Sequence, residues 1–183
     1  MSQPRSTVHQ PTLHTAAPVL PFRCRWRTEV LLPDSPAVRS LVERTGFFHP
    51  DEVDIAVELV DEHLARGPAS GYHFVFAINE VDEALIGYAC YGPVPCTRSS
   101  YDLYWIAVNP DFQRHGFGRA LMSAAESRIL DAGGERVYID TSGRGQYAST
   151  RAFYERNGYA CEARLKDFYA PGDDRVIYMK VLK

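Results

Sequence analysis

A short run with two glycines, set between an apolar stretch and a helical pattern, constrains this chain more than any other feature. The run is QRHGFG, residues 113–118; it follows the apolar residues 103–108 and opens a helix predicted from Gly116 to Ala132. Glycine lets the backbone approach a ligand closely, and the first N–H groups of a helix are unpaired and carry partial positive charge. Arg114 and Arg119 add full charges beside them. The run therefore predicts a site for a cofactor that carries a pyrophosphate.

Two common phosphate loops are excluded by what this run lacks. A P-loop requires G-x-x-x-x-G-K-[ST], and no Lys-Ser or Lys-Thr pair follows the glycines. A dinucleotide-binding turn requires a third glycine, but Leu121 stands three residues after Gly118. What remains is the pattern Q-x-x-G-x-G.

A second segment, TRAFYERNGY at residues 150–159, follows a further apolar strand and covers most of another predicted helix, from Ala148 to Asn157, which Gly158 closes. Taken together, the two segments resemble the cofactor-binding motifs of the GNAT acetyltransferase superfamily, and the resemblance extends from about Phe22 to Lys183. It implies that residues 113–118 hold the pyrophosphate of acetyl-CoA and that an acetyl group passes directly from the thioester to an amine.

Composition indicates one globular domain. The 183 residues are 45% hydrophobic and 23% charged, enough for a core of ordinary size. The net charge of −3 does not favour nucleic acid as a partner, and no apolar run approaches the roughly 20 residues that cross a bilayer. The four cysteines have neither disulfide-framework nor metal spacing and are interpreted as reduced and cytoplasmic. Residues 1–20 are predicted to be a flexible tail, and 21–183 a single acetyltransferase domain.

Periodicity predicts eleven elements in the order β-α-α-β-β-β-α-β-α-β-β, which matches the GNAT fold, an α+β arrangement with a mixed, mostly antiparallel sheet flanked by helices. Ser35 is the predicted N-cap of the first helix, with Pro36 at its first position. The last two strands are predicted to be joined by a turn at residues 171–174.

The resemblance also assigns catalytic residues. Tyr154 aligns with a tyrosine that protonates the departing thiolate, and its alternative role is a packed core side chain. Asp102 occupies the place of a glutamate base in histone acetyltransferase relatives. Because aspartate is one methylene shorter, a water relay is favoured over direct contact, with Tyr104 as an alternative wall or relay. Asp102, Tyr104 and Ile106 are predicted to share one strand face unless a bulge intervenes.

The cofactor contacts implied by the resemblance come from the strand before the glycine run, from the run itself and from the second segment. Many relatives carry an asparagine seven residues before the tyrosine; here that position is Tyr147, so this contact is expected either to differ or to come from Ser142 or Gln146. The predicted cofactor-binding residues are Ile106, Ala107, Val108, Gln113, Arg114, His115, Gly116, Phe117, Gly118, Arg119, Ser142, Gln146 and Arg151.

The acceptor pocket is expected between the loop that joins the first two helices and the final strand pair. Aromatic side chains with carboxylates nearby suit a cationic amine, although the same residues also fit an ordinary turn. The predicted acceptor-binding residues are Phe47, Phe48, Tyr104 and Tyr169.

The sequence thus predicts an N-acetyltransferase acting on a small primary amine, with no metal and with a homodimer as one possible assembly. Two alternatives stay open: a non-catalytic module that senses acyl-CoA, and an acetyltransferase acting on protein N-termini.

Overall fold

The fold is described from a computed structural model covering residues 22–182. The tail predicted over residues 1–20 lies outside this range. Within it, one seven-stranded sheet and four α-helices follow the predicted order. The strands are β1 (Cys24–Arg27), β2 (His73–Asn79), β3 (Leu85–Pro93), β4 (Ser100–Val108), β5 (Arg136–Ser142), β6 (Ala160–Ala170) and β7 (Asp173–Val181). The helices are α1 (Asp34–Thr45), α2 (Pro50–Arg66), α3 (Phe117–Asp131) and α4 (Ala148–Arg156).

The strand order across the sheet is β1-β2-β3-β4-β5-β7-β6. Every pairing is antiparallel except that of β4 with β5, which is parallel. This confirms the predicted α+β architecture with a mixed, mostly antiparallel sheet. No helix in residues 22–182 is long and apolar enough to cross a membrane.

Side chains of the central strands point alternately to the two faces of the sheet, and each face packs into its own hydrophobic core. On one face α3 buries the predicted stripe of Leu121, Met122, Ala125 and Ile129. On the other face α1 and α2 bury four valines, Val38, Val42, Val53 and Val60. Because each buried side chain of this kind contributes roughly 1.5–3 kcal/mol, the two cores fix the helices against the sheet.

The start of α1 differs from the prediction. The helix begins at Asp34 rather than after Ser35, and its cap position is Pro33, which has no side chain able to cap. The buried Asp34 carboxylate accepts two hydrogen bonds from Arg27, at 2.5 and 2.8 Å, and one from the N–H of Leu31 at 2.7 Å. This carboxylate ties the incoming chain to β1, so the helix starts where the ion pair forms.

The final hairpin also turns more tightly than predicted. β6 continues to Ala170 and β7 begins at Asp173, so only Pro171 and Gly172 form the turn. Gly172 has φ +80°, a conformation that glycine adopts without strain.

A bulge in β4 decides which side chains face the cavity described below. Cys90 pairs with Trp105, and the next residue of β3, Tyr91, pairs with Leu103, so Tyr104 is the extra residue. Asp102 therefore lies on the α1–α2 face together with Trp105, whereas Ile106 joins the α3 core. The prediction of a shared face for Asp102 and Ile106 excepted a bulge; the bulge is present and reverses the alternation, so the two side chains lie on opposite faces.

Candidate active site

The two parallel strands at the centre of the sheet separate and leave a cleft. β4 and β5 pair only from Ser100 with Arg136 to Asp102 with Tyr138; beyond this pair β5 is bonded to β7 alone. The backbone groups of β4 that point toward β5 after Asp102 therefore have no strand partner. A cavity of about 640 Å³ lies in this region. Its lining includes Thr45, Phe47, Phe48, His49, Glu52, Tyr104, Trp105, Ile106, Ala107, Val108, Gln113, Asp140, Thr141, Ser142, Arg144, Tyr147, Thr150, Tyr154, Tyr169, Ala170 and Asp173.

The glycine run lies at one end of this cavity, where Gln113 forms part of the lining. Arg114 has φ +62° and Gly116 has φ +87°, and the latter is the cap residue of α3. Within residues 22–182, the N–H groups of 114–119 donate no hydrogen bond of normal geometry to the protein. A turn with several free N–H groups at a helix N-terminus binds phosphate oxygens. Residues 114–119, which follow Gln113, are not part of the lining.

The side chain of Gln113 forms a hydrogen bond within the protein. Its side-chain amide donates to the carbonyl of Val108 at 3.1 Å, which fastens the turn to the end of β4. Its predicted contact with the cofactor stays a prediction.

Tyr154 enters the cavity from α4. The residue is 6% exposed, and its ring packs among those of Phe153, Tyr159 and Tyr178. Its hydroxyl has no hydrogen-bond partner among the described residues and, unlike that of Tyr88, is not sealed from solvent. Burial, and then the neighbouring Tyr147 and Tyr178, raise the pKa of Tyr154 above its usual value. The phenol therefore keeps its proton at neutral pH, the state required of a proton donor.

Asp102 lies beside the cavity rather than in its lining. It is half-buried, at the last paired position before the strands part. Burial raises the pKa of Asp102, the Asp140 carboxylate raises it further, and Arg175 opposes both. Tyr104 stands two residues along the strand and does line the cavity; burial, with Asp102 as the second cause, raises the pKa of Tyr104 to about 12.

The loop between α1 and α2 forms the other end of the cavity. The carbonyl of Phe47 accepts hydrogen bonds from the Gln146 amide and the Tyr147 hydroxyl, both at 3.4 Å. The ring of Phe48 packs on that of Trp105 at 5.1 Å between centroids. Tyr169, from β6, completes this aromatic end, so the structure brings together all four side chains predicted to bind the acceptor.

Three predicted cofactor-binding residues are engaged in bonds within the protein. The Ser142 hydroxyl donates to the buried Asp173 carboxylate at 2.5 Å, and Arg151 donates to the carbonyls of Ser142 and Arg144 at 2.7 and 2.9 Å. Gln146 bonds to the α1–α2 loop, as described above. These bonds hold the end of β5 and the start of α4 in place, and a direct role for the three residues toward the cofactor stays a prediction.

Sequence reasoning missed two residues of the lining whose chemistry is informative. Trp105 is in the apolar stretch 103–108, but the bulge turns its indole toward the cavity, and its buried N–H has no partner among the described residues. Asp140 lies on β5, two residues beyond the pair with Asp102, and forms an ion pair with Arg175. The alternation of Val137, Ile139 and Thr141 with polar residues was the signal that placed Asp140 on the open face.

Free amides at a helix start, a cleft between separating strands and a protonated tyrosine inside it define a class of protein: enzymes that bind a phosphorylated thioester and transfer its acyl group. The free N–H groups fit a pyrophosphate, and the unpaired edge of β4 fits the amide-bearing arm of such a donor.

The chain belongs to the GNAT acetyltransferase family, whose model matches residues 36–159. It is accordingly an acyltransferase, and its acetyl donor is acetyl-CoA. A comparison with curated protein sequences gave no match.

Similar solved structures agree with this assignment. A GNAT-family structure from Desulfovibrio desulfuricans is 51% identical, with a TM-score of 0.86 over 88% of this chain and all of the other. An aminoglycoside 6'-N-acetyltransferase complexed with coenzyme A is 17% identical, with a TM-score of 0.71 over 88% of this chain and 98% of the other. The ribosomal-protein-S18-alanine N-acetyltransferase from Escherichia coli is 19% identical, with a TM-score of 0.68 over 88% of this chain and 95% of the other. The last two share the fold.

Proposed function

We propose that this acetyltransferase acts on a small molecule that carries a primary amine. The observation that supports this proposal best is the aromatic end of the cavity, where Phe47 accepts hydrogen bonds from Gln146 and Tyr147 and Phe48 packs on Trp105. Aromatic rings attract a cation through their faces, and the carboxylates of Glu52 and Asp140 lie in the same lining. Such a pocket favours a compact cationic acceptor.

Acetyl transfer then requires three actions from the protein. The acceptor must first lose a proton, because neutralising an amine of pKa about 10.4 at pH 7 costs about 4–5 kcal/mol. We assign this step to Asp102 acting through water, since the carboxylate lies beside the cavity rather than in its lining and aspartate is one methylene shorter than the glutamate base of the relatives. The amine nitrogen then attacks the carbonyl carbon of the thioester.

As the new C–N bond forms, negative charge grows on the thioester oxygen. We assign the stabilisation of that charge to an N–H of β4 among Ile106, Ala107 and Val108, which line the cavity. The C–S bond breaks, and the departing thiolate takes a proton from the Tyr154 hydroxyl, which burial keeps protonated. The nitrogen, which is positively charged after its attack, loses its second proton to water, and Tyr154 takes a proton back from water, so the products are an amide and free coenzyme A.

The test is release of free thiol from acetyl-CoA across a library of small amines and N-terminal peptides. The Tyr154→Phe variant is expected to lower kcat by about a hundredfold or more, because general acid catalysis contributes roughly 10²–10⁴. Tyr101→Phe is the matched control. Tyr101 is a half-buried tyrosine of β4 outside the cavity, and removing its hydroxyl should leave kcat unchanged.

Other results would redirect the assignment. Binding of acetyl-CoA without thiol release for any acceptor would indicate the sensing module. Faster turnover with peptides than with every small amine would indicate the N-terminal acetyltransferase. Equal kcat for wild type and Tyr154→Phe would remove Tyr154 from the chemistry. The reducing compartment and the homodimer predicted from sequence stay predictions.

A further inference from the structure

The carboxylate of Asp102 differs from most other carboxylates near the cavity in having no hydrogen bond to any described residue. Asp173 is held by Ser142 and Arg144, Asp140 by Arg175, and Glu52 by the N–H of His49. Asp102 lacks such a partner, although the residue is half-buried. Its charge is therefore controlled by neighbours at a distance rather than by a direct bond.

The register of the sheet places Asp140 near this carboxylate. Asp102 pairs with Tyr138 in the parallel ladder, and residues paired in a parallel ladder point to the same face. Asp140 is two residues further along β5, so its side chain also points to that face. Two carboxylates thus flank the point where β4 and β5 separate.

Arg175, on β7, forms an ion pair with Asp140 and belongs to the same face. It pairs with Ser142 in the antiparallel ladder, two positions from the pair of Asp140 with Ile177. Its guanidinium also lies 5.0 Å from the ring centre of Phe168. The arginine is thus held by groups on β5 and β6, and it places one positive charge beside the two carboxylates.

We propose that Asp140 and Arg175 are positioning residues that set the charge of Asp102 during acetyl transfer. This rests on the proposed function, in which Asp102 takes the proton of the acceptor amine. Asp140, as a like charge, favours the protonated form of Asp102, and Arg175 favours the ionised form. Asp140 and Arg175 form an ion pair with each other, and they have opposite effects on the charge of Asp102.

The direction of the pKa of Asp102 agrees with this geometry. Burial is the first cause of its rise, Asp140 the second, and Arg175 lowers it. The titratable or charged groups that face Asp102 come from each neighbouring element: Tyr104 on its own strand, Tyr138 and Asp140 on β5, Arg175 on β7, and Tyr72 beyond Tyr104 ahead of β2. On β3 the residue opposite Asp102 is the uncharged Gly92.

Two substitutions should therefore move the titration of Asp102 in opposite directions. Asp140→Asn removes the like charge and leaves Arg175 in place, so the pKa of Asp102 should fall. Arg175→Gln removes the opposing charge, so the pKa of Asp102 should rise. Because a base acts only when ionised, the low-pH limb of kcat/KM should shift to lower pH in Asp140→Asn and to higher pH in Arg175→Gln.

The measurements are the carboxyl ¹³C shift of Asp102 against pH, assigned with Asp102→Asn, and the pH profile of kcat/KM with acetyl-CoA and the best amine from the library. Arg175→Lys keeps the charge and should restore a profile close to that of wild type. The matched control is the exposed ion pair of Arg39 in α1 and Asp54 in α2, whose side chains are 2.7 Å apart. Arg39→Gln and Asp54→Asn make the same charge changes and should leave both profiles unchanged.

The outcomes separate this proposal from the proposed function. Opposite shifts in both measurements support it. If both substitutions leave the ¹³C titration of Asp102 where it is in wild type, the proposal fails whether or not acetyl transfer occurs. If the titration moves and the rate profile does not, Asp102 is not the base and the proposal fails while the acetyltransferase assignment stands. Absence of turnover with every amine would overturn the proposed function alone, because the ¹³C titration needs no turnover.

Discussion

At the scale of single residues, the two glycines of the 113–118 run meet different physical demands. Gly116 has φ +87°, so a side chain there would strain the backbone. Gly118 lies in the first turn of α3, and an added Cβ would be 3.4 Å from the Phe153 ring, which is ordinary contact. The fold therefore tolerates a side chain at 118, and we infer that the ligand does not.

Gly118→Ala separates binding from folding. We expect acetyl-CoA to bind about tenfold more weakly, the loss of roughly one good hydrogen bond to a charged oxygen. The free energy of unfolding should stay the same or rise by less than about 1 kcal/mol, because alanine favours a helix over glycine. Calorimetric titration with acetyl-CoA and urea denaturation measure the two quantities.

Ser123→Ala supplies the comparison, since Ser123 is exposed on the same helix and far along it from the glycine run. It should bind acetyl-CoA as wild type does. Unchanged affinity in Gly118→Ala would mean that the amide of this residue does not approach the cofactor.

At the scale of elements, one ion pair joins the outermost strand to the first helix. Arg27 of β1 and Asp34 of α1 are both largely buried, with side-chain exposures of 13% and 7%, and Arg27 also lies 4.6 Å from the ring centre of Phe76. Burying charges costs free energy that only the partner offsets. Removing one partner therefore leaves the other buried and unpaired.

We expect Asp34→Ala to lower the free energy of unfolding by about 3–5 kcal/mol. Arg39 and Asp54 also form an ion pair of arginine and aspartate, but this pair is exposed to water. Asp54→Ala should therefore lower the free energy of unfolding by less than about 1 kcal/mol. Urea denaturation followed by circular dichroism compares the two variants. A loss for Asp34→Ala no larger than that for Asp54→Ala would contradict the structural role of the buried pair.

The elements also show where sequence reasoning succeeds and where it stops. The stripe of α3 and the order of all eleven elements were predictable, because apolar period and glycine placement are local properties. The bulge at Tyr104 was not predictable, because it depends on how β3 and β4 pair. The sequence of β4 alone does not indicate that pairing. The start of α1 was missed for a similar reason: Asp34 is fixed by Arg27, seven residues earlier in the chain.

At the scale of the whole molecule, the candidate site joins segments that are distant in sequence. Two motifs predicted the cofactor turn and Tyr154, and the aromatic residues predicted for the acceptor end do meet at one cavity. The contribution of Trp105 was beyond prediction, since it arises from the bulge. The alternation along β5 could place Asp140 on the polar face, but not show that β4 and β5 part beside it. The cavity is bounded by both helical layers and by the last strand pair, so a ligand there contacts most of the fold.

Binding of acetyl-CoA should therefore stabilise the molecule as a whole. At a free concentration of 100 times the Kd, a ligand that binds only the folded state adds about 2.7 kcal/mol. For a chain of this length that corresponds to a rise in Tm of roughly 5–10 °C, measurable by differential scanning calorimetry. Pantetheine lacks the nucleotide and both of its bridging phosphates, so at the same concentration it should raise the Tm by far less. Equal shifts with acetyl-CoA and pantetheine would show that the free amides of residues 114–119 do not hold a pyrophosphate, because the diphosphate would then contribute nothing to binding.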